Sequence, residues 1–343
     1  MAQVKRLWTA LFLAGCSPAV ESPRVSVMTF NVENLFDAKH DPGKEDWAFL
    51  PLTEKAGPRH AAACARAANA LYREQCLRWD WSQIVLETKL SRIAAAILQV
   101  GGGRGPDVLL LQEVENKEIL ERLGRDYLGP AGYETAALLE GDDSRGVDQA
   151  ILSRLPAAGP PRLLRDPEGA LSRGVLVQPL TLPDGAVLDT ASVHFPSPAR
   201  PRVLREQGFA FLESWRRGRS PEALLLVGGD FNVSAEEDAR FGMFARAQAA
   251  GWAVSHELGC AECAGTNYYA AKRSWSFLDA ILLPRTMAAG GGGAWRADPG
   301  SVRVLSEAPG QKDARGAPMR FDPQDGSGVS DHFPLILELV KRR

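Results

Sequence analysis

Five stretches of the chain are apolar almost without interruption and finish in polar residues: Val25–Asn31, Val108–Glu113, Leu224–Asp230, Phe277–Leu283 and Phe333–Val340. A strand covered on both faces has no reason to alternate, so each run is expected as a buried strand that carries its polar end to a rim. Helical spacing lies between them. Leu86, Leu90, Ile93 and Ile97 form a 4-3-4 stripe that stops at Gly101-Gly102-Gly103. Residues 202–217 and 236–250 are two further helices by pattern, the second opening with Glu236, Glu237 and Asp238, which suit a helix N-terminus. Pro183-Asp184-Gly185 is a turn ahead of an alternating strand, Val187–His194. Strands interleaved with helices, plus a hairpin signal, indicate an α/β layered domain.

The remaining segments are less regular. Residues 34–82 read as a long charged insertion with two cysteines, and residues 288–294 as a glycine-rich loop. No repeat and no dividing linker is seen, so residues 25–343 are expected as one domain. The chain is 45% hydrophobic and 24% charged, with 40 Lys+Arg against 42 Asp+Glu. These values exclude disorder, collagen and coiled coil as the main state. No apolar run reaches the roughly 18 residues of a membrane span. A net charge of −2 argues for no particular partner.

The first residues read as an address. Lys5 and Arg6 precede an apolar stretch from Leu7 to Ala14, and Leu13-Ala14-Gly15-Cys16 is followed by Ser17-Pro18. This segment resembles the lipobox of bacterial lipoproteins. The resemblance implies removal of residues 1–15, lipidation of Cys16, and a short tether over residues 16–24. It implies anchoring in the cell envelope, the outer membrane or periplasm being favoured by Ser17. Loss of Lys5 and Arg6 lowers the charge by two, from −2 to −4. In an oxidising compartment the other four cysteines favour disulfides, with Cys64–Cys76 and Cys260–Cys263 the preferred pairing over a four-cysteine zinc site of unusual spacing.

Several chemistries are excluded directly. There is no GxxxxGK[ST] loop, no HExxH and no GxSxG elbow. Gly101–Gly105 follows a helix and lacks the lysine of a phosphate loop. What remains is a set of acids, amides and two histidines at strand ends. Thr29-Phe30-Asn31-Val32-Glu33-Asn34, Leu111-Gln112-Glu113, Gly229-Asp230-Phe231-Asn232, Phe277-Leu278-Asp279 and Gly328-Val329-Ser330-Asp331-His332 resemble, in order, the signature blocks of the endonuclease/exonuclease/phosphatase superfamily. That superfamily includes pancreatic-type deoxyribonuclease, abasic-site endonucleases, bacterial sphingomyelinases and inositol polyphosphate 5-phosphatases. The resemblance implies a four-layer α/β sandwich in which two packed mixed β-sheets are flanked by helices.

The chemistry is consistent with those residue types. A phosphodiester is an anion that repels an attacking water until positive charge covers its oxygens, and a hard cation held by carboxylates supplies that charge. The resemblance implies Mg²⁺, with Mn²⁺ or Ca²⁺ as alternatives, held by Glu113 and Asp331, with Glu33 and Asn31 at the same centre. Asp230 is expected to align the nucleophilic water and Asn232 to orient water or phosphate. His332 is expected to pair with Asp279 and donate to the phosphoryl oxygen, and His194 to act beside it. Arg173 and Asn267 are candidate phosphate contacts.

The function expected is metal-dependent phosphoester hydrolysis, foremost an extracytoplasmic nuclease. Sphingomyelinase-like or phosphomonoesterase action is the alternative. Tyr268, Tyr269 and Trp275 are candidates to stack on a base or acyl chain or to pack over a strand, and Arg200-Pro201-Arg202 and Arg216-Arg217-Gly218-Arg219 are basic clusters suited to phosphates. A non-catalytic surface binding protein on the same scaffold is a third reading, weakened because no catalytic side chain is missing. No protein partner is indicated, so a monomer is expected.

Overall fold

A computed structural model describes residues 22–342. Cys16 and the remainder of the lipobox lie outside these residues. Along the chain the strands and helices are β1 (Arg24–Leu35), α1 (Pro58–Ala65), α2 (Ala70–Arg78), α3 (Gln83–Leu98), β2 (Val108–Val114), α4 (Lys117–Arg122), β3 (Thr135–Leu138), β4 (Asp148–Ser153), β5 (Arg162–Leu164), β6 (Val175–Thr181) and β7 (Val187–His194). They continue as α5 (Arg202–Arg217), β8 (Leu224–Asp230), α6 (Ala235–Phe241), α7 (Met243–Ala249), β9 (Trp252–Val254), α8 (Ser255–Leu258), β10 (Asn267–Tyr269), β11 (Ser274–Ser276), β12 (Asp279–Pro284), β13 (Trp295–Val304) and β14 (Leu335–Lys341).

Two six-stranded sheets form, in the orders β13-β14-β1-β2-β4-β3 and β5-β6-β7-β8-β12-β9, with β10 and β11 as a separate hairpin. Each sheet has one parallel pair at its centre, β1 with β2 and β7 with β8; the other neighbours are antiparallel. The pleat explains the continuous apolar runs. In β1, Val25 and Val27 face the other sheet with Val108, Leu226 and Ile281, while Met28 and Phe30 face α3 and its Leu86, Leu90 and Ile93. On the far side, Val177, Ala191 and Val227 pack with Leu212 of α5 and Phe244 of α7. The result is helix, sheet, sheet, helix: the four-layer α/β sandwich expected. No helix of the described residues is long and apolar enough to cross a membrane.

One expected helix is two. Residues 236–250 break at Gly242, which adopts a left-handed conformation (φ 60°), caps α6 and opens α7. Strand β12 begins at Asp279 rather than Phe277. Residues 36–82 contain α1 and α2, joined by a disulfide between Cys64 and Cys76 (Cα–Cα 5.6 Å). A second disulfide joins Cys260 and Cys263 (5.2 Å). These are the preferred pairings.

Candidate active site

Strand register brings the polar ends together. In the parallel pair β7/β8, His194 lies opposite Asp230, and antiparallel β12 sets Asp279 opposite the same aspartate. In β1/β2, Asn31 lies opposite Gln112, one residue before Glu113. Strands of this kind deliver their C-terminal ends to a common crevice. Two glycines permit the approach. A Cβ on Gly229 would lie 2.0 Å from the Val193 carbonyl oxygen, and one on Gly228 would lie 2.5 Å from Leu110 of the facing sheet. The Gly-Gly before Asp230 therefore lets β8 close against both β7 and β2.

Asp230 is the focus. It is buried, and its Oδ2 accepts from Asn31 Nδ2 (3.1 Å), with His194 Nε2 at 3.5 Å and His332 Nε2 at 3.9 Å. Its Oδ1 accepts from the Asn232 backbone N–H (2.8 Å), while the Asn232 side chain donates to the Phe195 carbonyl (2.9 Å). Burial pushes the Asp230 carboxyl up further than the His332 charge pulls it back, and Asp279 adds to the rise.

The two histidines are driven apart. His332 Nδ1 meets Asp279 Oδ2 at 2.7 Å. Burial alone would lower this imidazole, but Asp279, then Asp230, raise it well above the ordinary histidine value. Burial, with Arg173 beside it, holds His194 well below that value. The two environments thus favour the charged form of His332 and the neutral form of His194.

Glu113 is mostly covered, and its Oε2 accepts from the Asn34 backbone N–H (3.0 Å). Its Oε1, 3.9 Å from His194 Nε2, accepts no hydrogen bond of that kind. Burial pushes this carboxyl up, but Arg145, then His194, Arg173 and His332, outweigh it and hold it at about 2. Asp331 keeps a side chain 29% exposed, with Oδ1 3.9 Å from His332 Nε2. Glu113, held ionised, and the accessible Asp331 offer the carboxylate oxygens that suit a hard divalent cation; Asn31 Oδ1 already accepts from the Glu33 N–H (3.0 Å) and keeps one lone pair. Asp230, Asp279 and His332 converge, with ligand atoms within 4.8 Å. The His332 nitrogen facing Asp279 is already hydrogen-bonded, so this trio reads as a proton-handling unit.

Glu33 stands differently. Its Oε1 accepts from Arg320 Nε (2.6 Å), and its Oε2 accepts from the backbone N–H groups of Phe321 and Asp331 (3.1 Å each). The carboxylate thus clamps the 320–331 segment onto the end of β1. Burial and the Asp331 charge push its pKa up, and Arg320 pulls it back. Arg173 is committed to Asp143 (2.8 Å), with its Nε buried and unpartnered. Asn267 donates from its side chain to the Asp331 carbonyl (2.9 Å) and bridges His332 through the backbone.

Glu33, Asn34, Glu113 and Asn232 all have left-handed backbones, φ 52–64°. Each costs roughly 1–2 kcal/mol in a residue other than glycine, and all four lie at or just past the polar ends of β1, β2 and β8. Three participants were not found from sequence. Arg145 approaches Glu113 from the loop before β4 and is half-exposed. Arg320 lies in an irregular segment with no local signal. Lys89 is fully buried in α3, donates to the Val329 carbonyl (2.7 Å) and lies 4.9 Å from the Phe321 ring centroid. Its signal was present: a lysine on the apolar face that carries Leu86, Leu90 and Ile93.

Residues 28–332 match the model of the Endonuclease/Exonuclease/phosphatase family. Among solved structures, D. rerio TDP2 in complex with a single strand DNA product is similar at TM-score 0.53 and 17% identity, over 92% of this chain and 98% of that one. A Bacteroides thetaiotaomicron mannosyl-6-phosphatase is similar at TM-score 0.51 and 14% identity, over 92% and 99%. An endonuclease/exonuclease/phosphatase from Beutenbergia cavernae is similar at TM-score 0.53 and 16% identity, over 93% and 72%. A comparison with curated protein sequences gives no match.

Proposed function

The chain belongs to the endonuclease/exonuclease/phosphatase family and is a phosphoric ester hydrolase, and from that premise we propose that it is a divalent-metal-dependent phosphodiesterase acting on nucleic acid. The carrying observation is the convergence on Asp230 of two imidazoles, His194 Nε2 at 3.5 Å and His332 Nε2 at 3.9 Å, the second held by Asp279 through Nδ1. Asp230 accepts the proton of the attacking water, and Asn31 and the Asn232 N–H hold the carboxylate in place to do so. His332, its charged form favoured by Asp279, donates to the phosphoryl oxygen as negative charge develops there, while His194 presents Nε2 to the same crevice, 3.5 Å from Asp230. Glu113 and Asp331, with Asn31, would hold the cation, and Mg²⁺ bound there would neutralise the phosphoryl oxygens.

Two features support nucleic acid over lipid. Arg145, half-exposed, and Arg320, 68% exposed while paired with Glu33, bring positive charge beside the carboxylates, suited to further phosphates along a strand. The β10–β11 hairpin has strands of only three residues, and Trp275 packs against Tyr268 and Phe333 rather than projecting an apolar tip. Export and lipidation at Cys16 belong to the same reading, supported by the residue pattern of positions 5–18. Mass spectrometry of membrane-extracted protein should find a lipidated N-terminal Cys16; an unmodified chain retaining Met1 would refute it.

The substrate is tested with a panel of duplex DNA, single-stranded DNA, RNA, sphingomyelin, a phosphoinositide and an aryl phosphate monoester. Each is assayed with Mg²⁺, Mn²⁺ or chelator. Fastest turnover of a nucleic acid is expected. Preference for sphingomyelin or the monoester would replace this reading with a lipid phosphodiesterase or a phosphatase.

A further inference from the structure

Directly beneath the crevice, buried glutamines cross from one sheet to the other. Along β2, Val108 and Leu110 face the second sheet, and the pleat places Gln112 next in that row. Ile151 faces the same way on β4, so Gln149, opposite Gln112 in the ladder, shares that face. Both glutamines are fully buried. Gln112 Nε2 donates to Ser192 Oγ of β7 (3.1 Å), and that hydroxyl donates back to the Leu111 carbonyl (3.3 Å). Gln112 Oε1 accepts from Thr29 Oγ1 (3.3 Å). Gln149 Nε2 donates to the Gly174 carbonyl, just before β6 (3.1 Å), and its Oε1 has no hydrogen-bond partner among the described residues. The bridged positions adjoin the site. Glu113 follows Gln112, and Ser192 shares a strand face with His194, two residues on. Asn31, opposite Gln112 in the ladder, makes the next crossing bond, to Asp230 itself (3.1 Å).

Stability does not explain these side chains. Burying an amide costs free energy unless its polar atoms are bonded, and apolar residues filling the same space would hold the sheets about as well. Apolar contact is non-directional, so by itself it leaves the offset between two sheets loosely set. A hydrogen bond fixes donor and acceptor within a narrow range of distance and angle. We propose that Gln112 and Gln149, with Ser192, are positioning residues that set the offset between the sheets, and through it the separation of Glu113 from His194 and Asp230. This rests on the roles given to those three side chains above and adds the element that spaces them. The consequence is selective. Glu113 lies on the first sheet, and Asp331 is tied to that sheet through its N–H on Glu33 (3.1 Å), so the carboxylates for the cation keep their geometry without the bridges. His194 and Asp230 come from the second sheet and shift relative to the phosphate.

The test uses the full chain and a small aryl phosphodiester, so that no extended substrate contact enters. Gln149→Met and the pair Gln112→Met/Ser192→Ala, which removes both partners of one bridge, are compared with the triple combination. The triple variant should keep its Tm, because methionine fills the space of glutamine and the Gln112–Ser192 bond is removed from both sides. Its Mn²⁺ affinity, measured by electron paramagnetic resonance without substrate, should not change. Its kcat should fall by about 100-fold, the scale set by a misplacement of about 1 Å between reacting groups. Gln112→Met and Ser192→Ala should each cost as much as the two together, since each breaks the same bridge. Near-wild-type kcat in the folded triple variant, losses that multiply in the pair, an Mn²⁺ affinity that falls with kcat, or a triple variant that no longer folds overturns the proposal. Wild-type turnover that survives chelator is a separate failure, read on wild-type protein alone, and would overturn the reading of the site and this inference with it.

Discussion

Replacing Glu33 by glutamine separates two roles that a carboxylate at this position can have. As a cation ligand, its loss raises the metal requirement and leaves the fold alone. As the clamp described above, its loss does the reverse. The three bonds set the magnitude. The glutamine oxygen can serve the Phe321 and Asp331 N–H groups, which leaves its NH₂ against Arg320. That guanidinium is 68% exposed and swings to water, so one charge-assisted bond of roughly 1.5–3 kcal/mol is lost. Relief from burying a carboxylate offsets part of this, and the net destabilisation is about 1–2 kcal/mol, or about 2–5 °C in Tm. Glu33→Ala leaves both N–H groups unsatisfied at roughly 1–3 kcal/mol each, and turnover falls with it because Asp331 and His332 lose their anchor. Calorimetry and initial rates across a Mg²⁺ series measure both quantities on one preparation. A metal midpoint shifted more than about tenfold with unchanged Tm in Glu33→Gln would refute the clamp, tenfold being 1.4 kcal/mol of lost coordination.

Three further outcomes are expected. Glu113→Gln removes the charge that attracts a hard ion, so half-maximal activity should require much higher Mg²⁺, and chelator should abolish wild-type turnover; activity in excess chelator would end the metal mechanism. Asp230→Asn and His332→Ala should each lower kcat by roughly two to four orders of magnitude with little change in KM, and the double variant should lose far less than the product. Asp279→Asn should give a milder His332 defect; near-wild-type kcat in folded Asp230→Asn would remove the base from the mechanism. Burial pushes the Asp148 carboxyl to about 7, with one oxygen on the Gly141 N–H and the other unpartnered. The folded chain then holds a proton that the unfolded chain releases near its ordinary value of about 4, so stability should fall as pH rises between those values. Asp148→Asn should flatten that slope in urea titrations at several pH values, and parallel slopes would disprove the assignment.

What could be read before folding was what is repeated locally. β1, β2, β8 and β14 are buried on both faces, so their composition alone marks them, and the acids that follow them fall where strands end. β4 is also buried throughout, but Asp-Gln-Ala-Ile-Leu-Ser carries too short an apolar run to stand out. Gly242 was visible as a letter yet not as a break, because α6 and α7 continue the same pattern of charge and apolar residues on either side. Glu33 carries the opposite lesson. Its motif placed it beside the metal ligands, but its hydrogen-bond partners lie 287–298 residues away in sequence. No local pattern encodes Arg320 or the loop before β4, whose positions follow from how distant segments pack.

The second sheet, β5 to β12, is drawn from one continuous piece of chain, residues 162–284, whereas the first sheet is assembled from what precedes and follows it. Asn31, Glu113 and the Ser330-Asp331-His332 turn belong with the first sheet; His194, Asp230 and Asp279 belong to the second. Neither half carries the whole set. A chain still emerging, or one cut between the halves, has acids and imidazoles but no crevice in which they meet. Docking of the two sheets is thus itself the safety catch, holding back phosphoester hydrolysis until folding has joined them.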